Sequence, residues 1–263
     1  MRYNPAPALT SIIRLSCLLV LSILPHVSRA ESIHIAAASN FTGAMKALVA
    51  EFEQASGHKV HVSFGSSGKF YAQIMHGAPF QIFFSADQAK PKALEKSGLS
   101  VSGTRFTYAI GALALWSSKP GFIDSEGRRL RNGNFNKLAL ANPKLAPYGI
   151  AAIEVLESLK LKQNTRSKWV QGENIAQTYQ FISTGNADLG FISLAQIRQK
   201  NQSTPGSVWI IPTTLHEPIR QDAVLLKRGE KNRAAQELLK FIRSEQAQTI
   251  IKSHGYQIPS AKI

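Results

Sequence analysis

Short apolar runs that end at small polar residues and lead into helical patterns recur along this chain. The first apolar run, 33–38, is followed by Ser39 and Asn40 and then by apolar residues spaced three and four apart over 45–52. That spacing predicts a helix with one buried face, and Ser and Asn are common N-cap residues. The unit therefore predicts a strand, a tight turn and a helix.

The same order of run, turn and helix occurs three more times. The three turns are rich in Gly, Pro and small polar residues and lie at 65–68, 142–149 and 172–174. A helix start leaves about four backbone N–H groups without an intrahelical acceptor and carries about half a positive charge. Such an end binds an anion without a charged side chain. Because ligands of parallel α/β sheets bind at the carboxyl ends of the strands, the four turns indicate one ligand contacted from several sides.

The order of elements predicts two α/β lobes with a cleft between them. Strand and helix alternate over 31–100 and again over 137–215, which indicates parallel sheets flanked by helices. Two long extended runs, 105–116 and 218–226, predict crossings between the lobes. We therefore expect 31–112, completed by 219–263, to form lobe 1 and 113–218 to form lobe 2. Residues 120–136 read as a loop, and 232–254 as one final helix that ends at Gly255 and returns to lobe 1.

Residues 1–30 have the pattern of a secretory signal peptide. Arg2 and Arg14 precede an apolar stretch, and Ser28 and Ala30 supply the small residues of a cleavage site. Glu31 is then the first mature residue, and an uncleaved N-terminal anchor is the alternative. The only cysteine, Cys17, lies within the apolar stretch, so the mature chain contains no thiol and no disulfide. We expect a periplasmic protein.

The mature chain is basic. Removing Arg2, Arg14 and Arg29 leaves 28 basic and 16 acidic residues, a net charge of +12. Such a surface attracts anions, nucleic acid or anionic lipid. The basic residues are scattered, however, and no RNA-binding aromatic motif or zinc-knuckle spacing supports nucleic acid. A solvated basic surface is the simpler interpretation, with a nucleic-acid or membrane-surface protein as an alternative.

Signals for catalysis are weak. Ser66 and Lys69 have the Ser-x-x-Lys spacing of penicillin-binding enzymes, but the Ser-Asp-Asn and Lys-Thr-Gly tripeptides of that chemistry are missing from the sequence. His58 and His61 face opposite sides of an extended segment, which disfavours a shared metal ion. A secreted serine hydrolase using Ser66 or Ser67 stays open as an alternative function.

Five motifs taken together resemble the periplasmic molybdate-binding proteins of ABC transporters, over essentially all of residues 31–259. In chain order the motifs are Ala36-Ala37-Ala38-Ser39-Asn40-Phe41-Thr42, Phe64-Gly65-Ser66-Ser67-Gly68-Lys69, Gly77-Ala78-Pro79 with Ser85-Ala86-Asp87, Ala141-Asn142-Pro143 with Pro147-Tyr148-Gly149, and Gly172-Glu173-Asn174-Ile175. The resemblance implies a two-lobed periplasmic-binding-protein fold of type II. It also implies a receptor that closes on molybdate, with tungstate expected to bind too, and performs no chemistry.

The resemblance also implies which residues hold the oxyanion. The expected donors are hydroxyls and backbone amides: Ser39, Asn40, Ser67, the amide of Tyr148 and the amide of Ile175. Some family members use a tyrosine hydroxyl at the position of Ser193, which leaves that serine in doubt as a ligand. Lys69 is expected to face solvent or to attract the anion from a distance.

The resemblance further implies a membrane permease as partner, no cofactor besides the bound oxyanion, and a molybdenum held only through its oxygens by the same residues. Since the sequence lacks nucleic-acid-binding motifs, we expect no nucleic acid as partner. We expect a monomer. A receptor for sulfate, phosphate or another small oxyanion is the alternative within the same class.

Overall fold

The computed structural model describes residue 1 and residues 30–198 and 206–259. The predicted signal peptide therefore lies outside the described residues, except at its two ends. Residues Glu31–Ile263 form one compact unit. Among the described residues, no helix is long and apolar enough to cross a membrane.

The described part of the chain alternates strands and helices, as the apolar periodicity predicts. Its strands are β1 Ser32–Ala38, β2 Lys59–Gly65, β3 Ile82–Phe84, β4 Phe106–Gly111, β5 Leu113–Ser117, β6 Leu138–Ala141, β7 Trp169–Gly172, β8 Leu189–Ser193, β9 Ser207–Ile210 and β10 Ile219–Leu225. Its α-helices are α1 Thr42–Ser56, α2 Ser67–Met75, α3 Ala89–Lys96, α4 Arg128–Asn132, α5 Pro147–Ser158, α6 Lys162–Thr165, α7 Ile175–Ser183, α8 Arg233–Ile242 and α9 Glu245–Ser253. Short 3₁₀ turns occur at Ser39–Phe41, Arg166–Lys168, Leu194–Gln196 and Lys227–Gly229.

The strands form two five-stranded sheets, ordered β2-β1-β3-β10-β4 and β7-β6-β8-β5-β9. In the first sheet β1 runs parallel to β2 and β3, whereas β10 runs antiparallel to β3 and β4. In the second, β6 runs parallel to β7 and β8, whereas β5 runs antiparallel to β8 and β9. The predicted two-lobed α/β fold is confirmed. Each sheet is mixed because β10 and β5 enter it from the direction of the other lobe and so run against their neighbours.

Each sheet packs its own apolar core against its helices. Ile35 of β1, Leu48 of α1 and Leu238 of α8 belong to the core of the first lobe. Leu140 of β6 and Val155 of α5 belong to a core of the second. The C-terminal helices thus return to the first lobe, as predicted.

The chain passes between the two sheets at the first predicted crossing. β4 ends at Gly111 in the first sheet, and β5 begins at Leu113 in the second. The second predicted crossing, 218–226, is instead strand β10 of the first sheet, so the chain changes lobes between Ile210 and Ile219. Because 31–263 is one compact unit, the lobe limits given above stay a prediction.

Two sequence interpretations were wrong in detail. The predicted final helix is two helices, since Ser244 interrupts it with an extended backbone and caps α9 by accepting a hydrogen bond from the Ala247 amide. The predicted loop over 120–136 contains the short helix α4, which is flanked by two glycines in the left-handed conformation. Its single buried side chain, Leu130, gives too little apolar periodicity to identify a helix.

A buried carboxylate on strand β10 forms an ion pair with Arg105, the residue just before β4. Asp222 of β10 is fully buried and its carboxylate lies 2.6 Å from the Arg105 guanidinium, which also contacts Glu95 at 2.6 Å. The hydrogen bond to Glu95, followed by that to Asp222, raises the pKa of Arg105. Thr107 and Gln88 also donate to the Asp222 carboxylate.

We predict that Arg105→Met lowers the free energy of unfolding by about 3 kcal/mol, because it leaves the Asp222 carboxylate buried without a cation. Arg233→Met is the matched control, since Arg233 pairs with Glu237 on the surface and such pairs contribute about 1 kcal/mol or less. Urea denaturation of both variants measures the difference. Equal losses in the two variants would contradict the structural role assigned to Arg105.

Candidate functional site

Four chain turns meet at one small cavity between the two sheets. Its lining consists of small, neutral residues: Ala38, Ser39, Asn40, Gly65, Ser66, Ser67, Ala86, Ala146, Pro147, Tyr148, Asn174 and Ile175. Its volume is about 10 Å³, close to the smallest that holds one water molecule. Sites for drug-sized ligands measure roughly 300–1,000 Å³, so this cavity suits a small ion. All five residues predicted to bind the oxyanion line it.

The start of α5 presents one backbone amide to the cavity. Pro147 is the first residue of the helix and has no N–H. The amide of Gly149 already donates to the Ala146 carbonyl at 2.9 Å. The Tyr148 N–H lies between them and has no acceptor within the helix. The helix approaches strand β6 so closely that a Cβ on Gly149 would lie 2.2 Å from the Ala141 carbonyl oxygen, which fixes this amide at the end of the strand.

The start of α7 also presents one backbone amide to the cavity, and here an N-cap side chain satisfies the amides that follow it. Asn174 caps the helix, and its Oδ1 accepts from the amides of Ala176 at 2.9 Å and Gln177 at 3.1 Å. The Ile175 N–H, the first of the helix, is not part of this cap and has no acceptor within the helix. Capping thus satisfies the deeper amides and leaves the amide nearest the cavity for a ligand.

The first lobe contributes Ser39 and Asn40, which begin a helical turn directly after β1. The Ser39 Oγ donates to Asn174 Oδ1 of the second lobe at 3.3 Å, the long end of the hydrogen-bond range. The Asn40 Nδ2 donates to Gln221 at 2.8 Å and to Tyr256 at 3.1 Å, so the side-chain amide is held within the protein. The backbone N–H of Asn40 is therefore the donor this residue can offer to a ligand.

Ser67 presents a hydroxyl whose oxygen already accepts one hydrogen bond within the protein. Its Oγ accepts a hydrogen bond from the Ala86 amide at 2.9 Å, and the side chain is almost fully buried. A hydroxyl has one hydrogen to donate, and the bond from Ala86 fixes the oxygen while that hydrogen stays available. Ser66, one residue earlier, instead caps α2 by accepting from the Lys69 amide at 3.4 Å. The two adjacent serines thus differ in role.

Ser193, whose role as a ligand the resemblance left in doubt, lies next to the Tyr148 hydroxyl. Ser193 Oγ donates to the Tyr148 hydroxyl at 3.0 Å, both side chains are buried, and Ser193 is not part of the cavity lining. Burial raises the pKa of Tyr148 to about 12, partly offset by hydrogen bonds from Ser193, Gln221 and Asn40. Burial also raises the pKa values of Tyr108 and Tyr256 well above the ordinary value for tyrosine. All three phenols are therefore neutral near pH 7.

Lys69 is directed to the rim of the cleft and does not line the cavity. Its Nζ lies 3.0 Å from Glu173 of the second lobe, and both side chains are about half exposed. From the sequence, Lys69 was expected either to face solvent or to attract the anion from a distance. The structure shows that it forms an ion pair between the lobes. Nothing in the local sequence signals that pair, because Lys69 and Glu173 are 104 residues apart.

The electrostatics of the cavity come from dipoles alone. None of the described lining residues is charged, and no group of three or more His, Cys, Asp or Glu that could hold a metal ion occurs in the described residues. Four helical segments begin at the cavity, and each start carries a partial positive charge. The arrangement suits a small anion and provides no ligands for a cation. Ser66 and Asn174 are the two polar lining residues that the predicted ligand set did not include; both were identifiable as N-cap residue types.

Comparison with known proteins places this geometry in a family. Residues 33–257 match the family model described as bacterial extracellular solute-binding protein. The chain is 48% identical over 246 residues to the molybdate-binding protein ModA of Azotobacter vinelandii, covering 94% of this chain and 98% of that protein. It is 44% identical over 221 residues to ModA of Rhodobacter capsulatus, covering 84% and 86% of the two chains.

The fold agrees with a solved structure of a protein of this kind. The periplasmic molybdate-binding protein of Azotobacter vinelandii superposes with a TM-score of 0.84 at 40% identity, covering 86% of this chain and 99% of that one. The region 33–257 matched by the family model contains every residue that lines the cavity. The chain therefore belongs to the family of bacterial extracellular solute-binding proteins.

Proposed function

We propose that this chain is a periplasmic receptor that captures molybdate and delivers it to an ABC permease. The observation that carries the proposal is the convergence of neutral donors from both lobes on one small cavity that has no charged lining residue among those described. The identity to molybdate-binding relatives supports the same ligand. As a member of a solute-binding family, the protein binds and releases its ligand without chemistry.

The proposed donors are Ser39, Asn40, Ser67 and the amides of Tyr148 and Ile175. Removing a dianion from water is costly unless hydrogen bonds replace its hydration. Hydrogen bonds from fixed amides to a charged oxygen are stronger than bonds between neutral groups, and the partial charges of several helix starts add to them. The Ser39 hydrogen must turn from Asn174 Oδ1 to the anion. That oxygen accepts from two amides as well as from Ser39, and a full anionic charge is the stronger acceptor.

Selection among oxyanions follows from the fixed position of the donors. Sulfate is smaller than molybdate, so it leaves hydrogen bonds that are too long at donors spaced for the larger ion. Tungstate has nearly the same size and charge as molybdate, and we propose that it binds as well. We further propose that the protein acts as a monomer and is exported by the signal peptide at 1–30.

The alternative of a serine hydrolase lacks support in the site. Ser67 Oγ is engaged by the Ala86 amide, Ser66 caps α2, and Lys69 pairs with Glu173. Among the described cavity residues, none is a His, Lys, Asp or Glu that could remove a proton from a serine. A sulfate receptor remains the competing function of the same class, and direct binding measurements separate the two.

Calorimetry of the mature protein against molybdate, tungstate, sulfate and phosphate tests the proposal. We expect one site per chain, tight binding of molybdate and tungstate, and much weaker binding of sulfate and phosphate. Binding of sulfate in preference to molybdate would assign the protein to the competing function.

We predict that Ser39→Ala and Ser67→Ala each weaken molybdate binding about ten- to hundredfold, because each removes a hydrogen bond to a charged group worth roughly 1.5–3 kcal/mol. Ser66→Ala is the matched control. It removes an N-cap, which lowers the free energy of unfolding by about 1 kcal/mol, and it leaves the proposed donors in place. If all three variants lose affinity equally, loss of local structure rather than of a ligand bond is the cause.

Closure of the two lobes over the cavity requires a glycine at position 68. The Gly68 amide donates to the Leu145 carbonyl of the second lobe at 2.8 Å, and a Cβ at this position would lie 2.9 Å from both the Cα and the carbonyl oxygen of Leu145. Because the neighbour is backbone, it cannot move aside as a flexible side chain would. A side chain at position 68 therefore holds the lobes apart.

We predict that Gly68→Ala lowers molybdate affinity at least tenfold and reduces the contraction in radius of gyration that the ligand causes. Gly43→Ala is the control, since a Cβ there meets only the His254 ring at 3.5 Å, an ordinary contact. Small-angle scattering and calorimetry measure both variants, and thermal unfolding without ligand verifies that each folds. A fully contracting, tightly binding Gly68→Ala protein would refute closure through this contact.

We predict that added sodium chloride slows molybdate association several-fold and barely changes dissociation. The net charge of +12 expected for the mature chain acts on the approaching dianion through a field screened over about 8 Å at physiological salt. The bound anion contacts dipoles inside a closed cavity, where salt screens little. Stopped-flow kinetics across a salt series decides this. Dissociation that accelerates steeply with salt would indicate a charged side chain on the anion.

A further inference from the structure

Tyr148 connects the proposed anion site to the crossing between the lobes. Its backbone amide lies at the cavity, while its side chain is buried and its hydroxyl reaches the end of β4. A Cβ on Gly111 would lie 2.0 Å from this hydroxyl and 3.0 Å from the ring carbon that carries it. The phenol thus fills the space above Gly111, at the point where the chain passes from the first sheet to the second.

The hydroxyl accepts hydrogen bonds from both lobes. Ser193 Oγ of the second lobe donates to it at 3.0 Å, and Gln221 Nε2 of the first lobe donates to it at 3.4 Å. The Gln221 Oε1 in turn accepts from Asn40 Nδ2 at 2.8 Å. Asn40 begins the helical turn that lines the cavity from the first lobe. We call Asn40, Gln221, Tyr148 and Ser193 the buried bridge; all four side chains are at most 4% exposed.

The buried bridge spans the same gap as a bound anion. At one end it holds Asn40, whose backbone amide is a proposed donor of the first lobe. At the other end it holds Tyr148, whose backbone amide is a proposed donor of the second. Since buried polar groups strongly favour keeping their partners, the bridge sets a preferred distance between the two donors that does not depend on the anion.

We propose that the Tyr148 hydroxyl is a positioning group that sets the spacing between the donors of the two lobes and so determines which size of tetrahedral oxyanion is retained. The inference rests on the proposed function. With the hydroxyl in place, the lobes stop at a separation suited to molybdate. Without it, Gln221 has no partner on the second lobe within the bridge, and the two lobes can settle around the smaller sulfate.

Tyr148→Phe tests this directly, because it removes the hydroxyl and keeps both the ring and the backbone amide. Dissociation constants for sodium molybdate and, by competition, sodium sulfate are measured by calorimetry, with thermal unfolding as a measure of stability. We expect the preference for molybdate over sulfate to fall about three- to tenfold, the effect of one neutral hydrogen bond. A general loss of stability would instead weaken both anions alike and leave their ratio unchanged.

Tyr108→Phe is the matched control. The Tyr108 hydroxyl is also buried and also bonds Gln221 Oε1, at 3.1 Å, but its other partner is the Ser85 carbonyl of the same lobe. It therefore makes no link between the lobes. We expect its preference for molybdate to stay within twofold of the wild type. Equal losses of preference in the two variants would overturn the proposal, because loosening of Gln221 alone would explain them.

Ser193→Ala keeps the test decisive if Tyr148→Phe does not fold. It removes the hydrogen bond that anchors the phenol in the second lobe, so the preference should fall in the same direction by about two- to fivefold. An unchanged preference in every folded variant of the bridge overturns the positioning role. That result is distinct from failure of the proposed function, which would show as a wild-type protein that does not bind molybdate.

Discussion

The proposed site, in which backbone amides hold a buried dianion, places a strong constraint on the architecture of this protein. An amide can donate to a ligand only if no carbonyl of its own helix accepts from it, and this condition holds only in the first turn. The site therefore requires several helix starts at one point. A parallel strand followed by a helix places such a start at the carboxyl end of the strand. The four units formed around β1, β2, β6 and β7 place theirs at one cavity.

The need for several helix starts around one anion also explains why the protein has two lobes. A single sheet edge presents helix starts from one side only, whereas an anion in water is hydrated on all sides and needs donors around it. Placing two starts on each lobe surrounds the ion and gives it a route of entry. Besides the buried hydrogen bond between Gln221 and Tyr148, polar contacts join the lobes near the cavity: Ser39 with Asn174, Gly68 with Leu145, and Lys69 with Glu173. Polar contacts of this kind exchange readily with water, so the free energy of closure can be supplied mainly by the ligand.

The local strand–turn–helix units were predictable because each is encoded by residues that are close neighbours in the sequence. Apolar spacing marked the helices, and small polar residues marked their starts. The prediction of one final helix was wrong because Ser244 splits it, and the predicted loop over 120–136 contains the short helix α4. The proposed donors were named from the resemblance to a family, whereas the structure was needed to show that these residues line one cavity. The ion pair of Lys69 and the hydrogen bonds of Gln221 join residues more than 70 positions apart, and no local pattern encodes such pairings.

In the proposed function, the basic surface attracts the anion from a distance, whereas the neutral cavity selects among oxyanions. The basic residues give the chain its net charge, yet the described lining of the cavity is neutral, and Lys69, two residues after the lining residue Ser67, pairs with Glu173. A lysine on the anion would add Coulomb energy that depends little on the radius of the ion, so it would strengthen the binding of sulfate and molybdate together. Fixed amides respond to oxygen positions instead, because a hydrogen bond weakens steeply once its length and angle leave the favourable range. A cavity without charge therefore allows geometry to decide which oxyanion stays, and this is the reason we propose a role in selection for the Tyr148 hydroxyl, which lies behind the proposed donors.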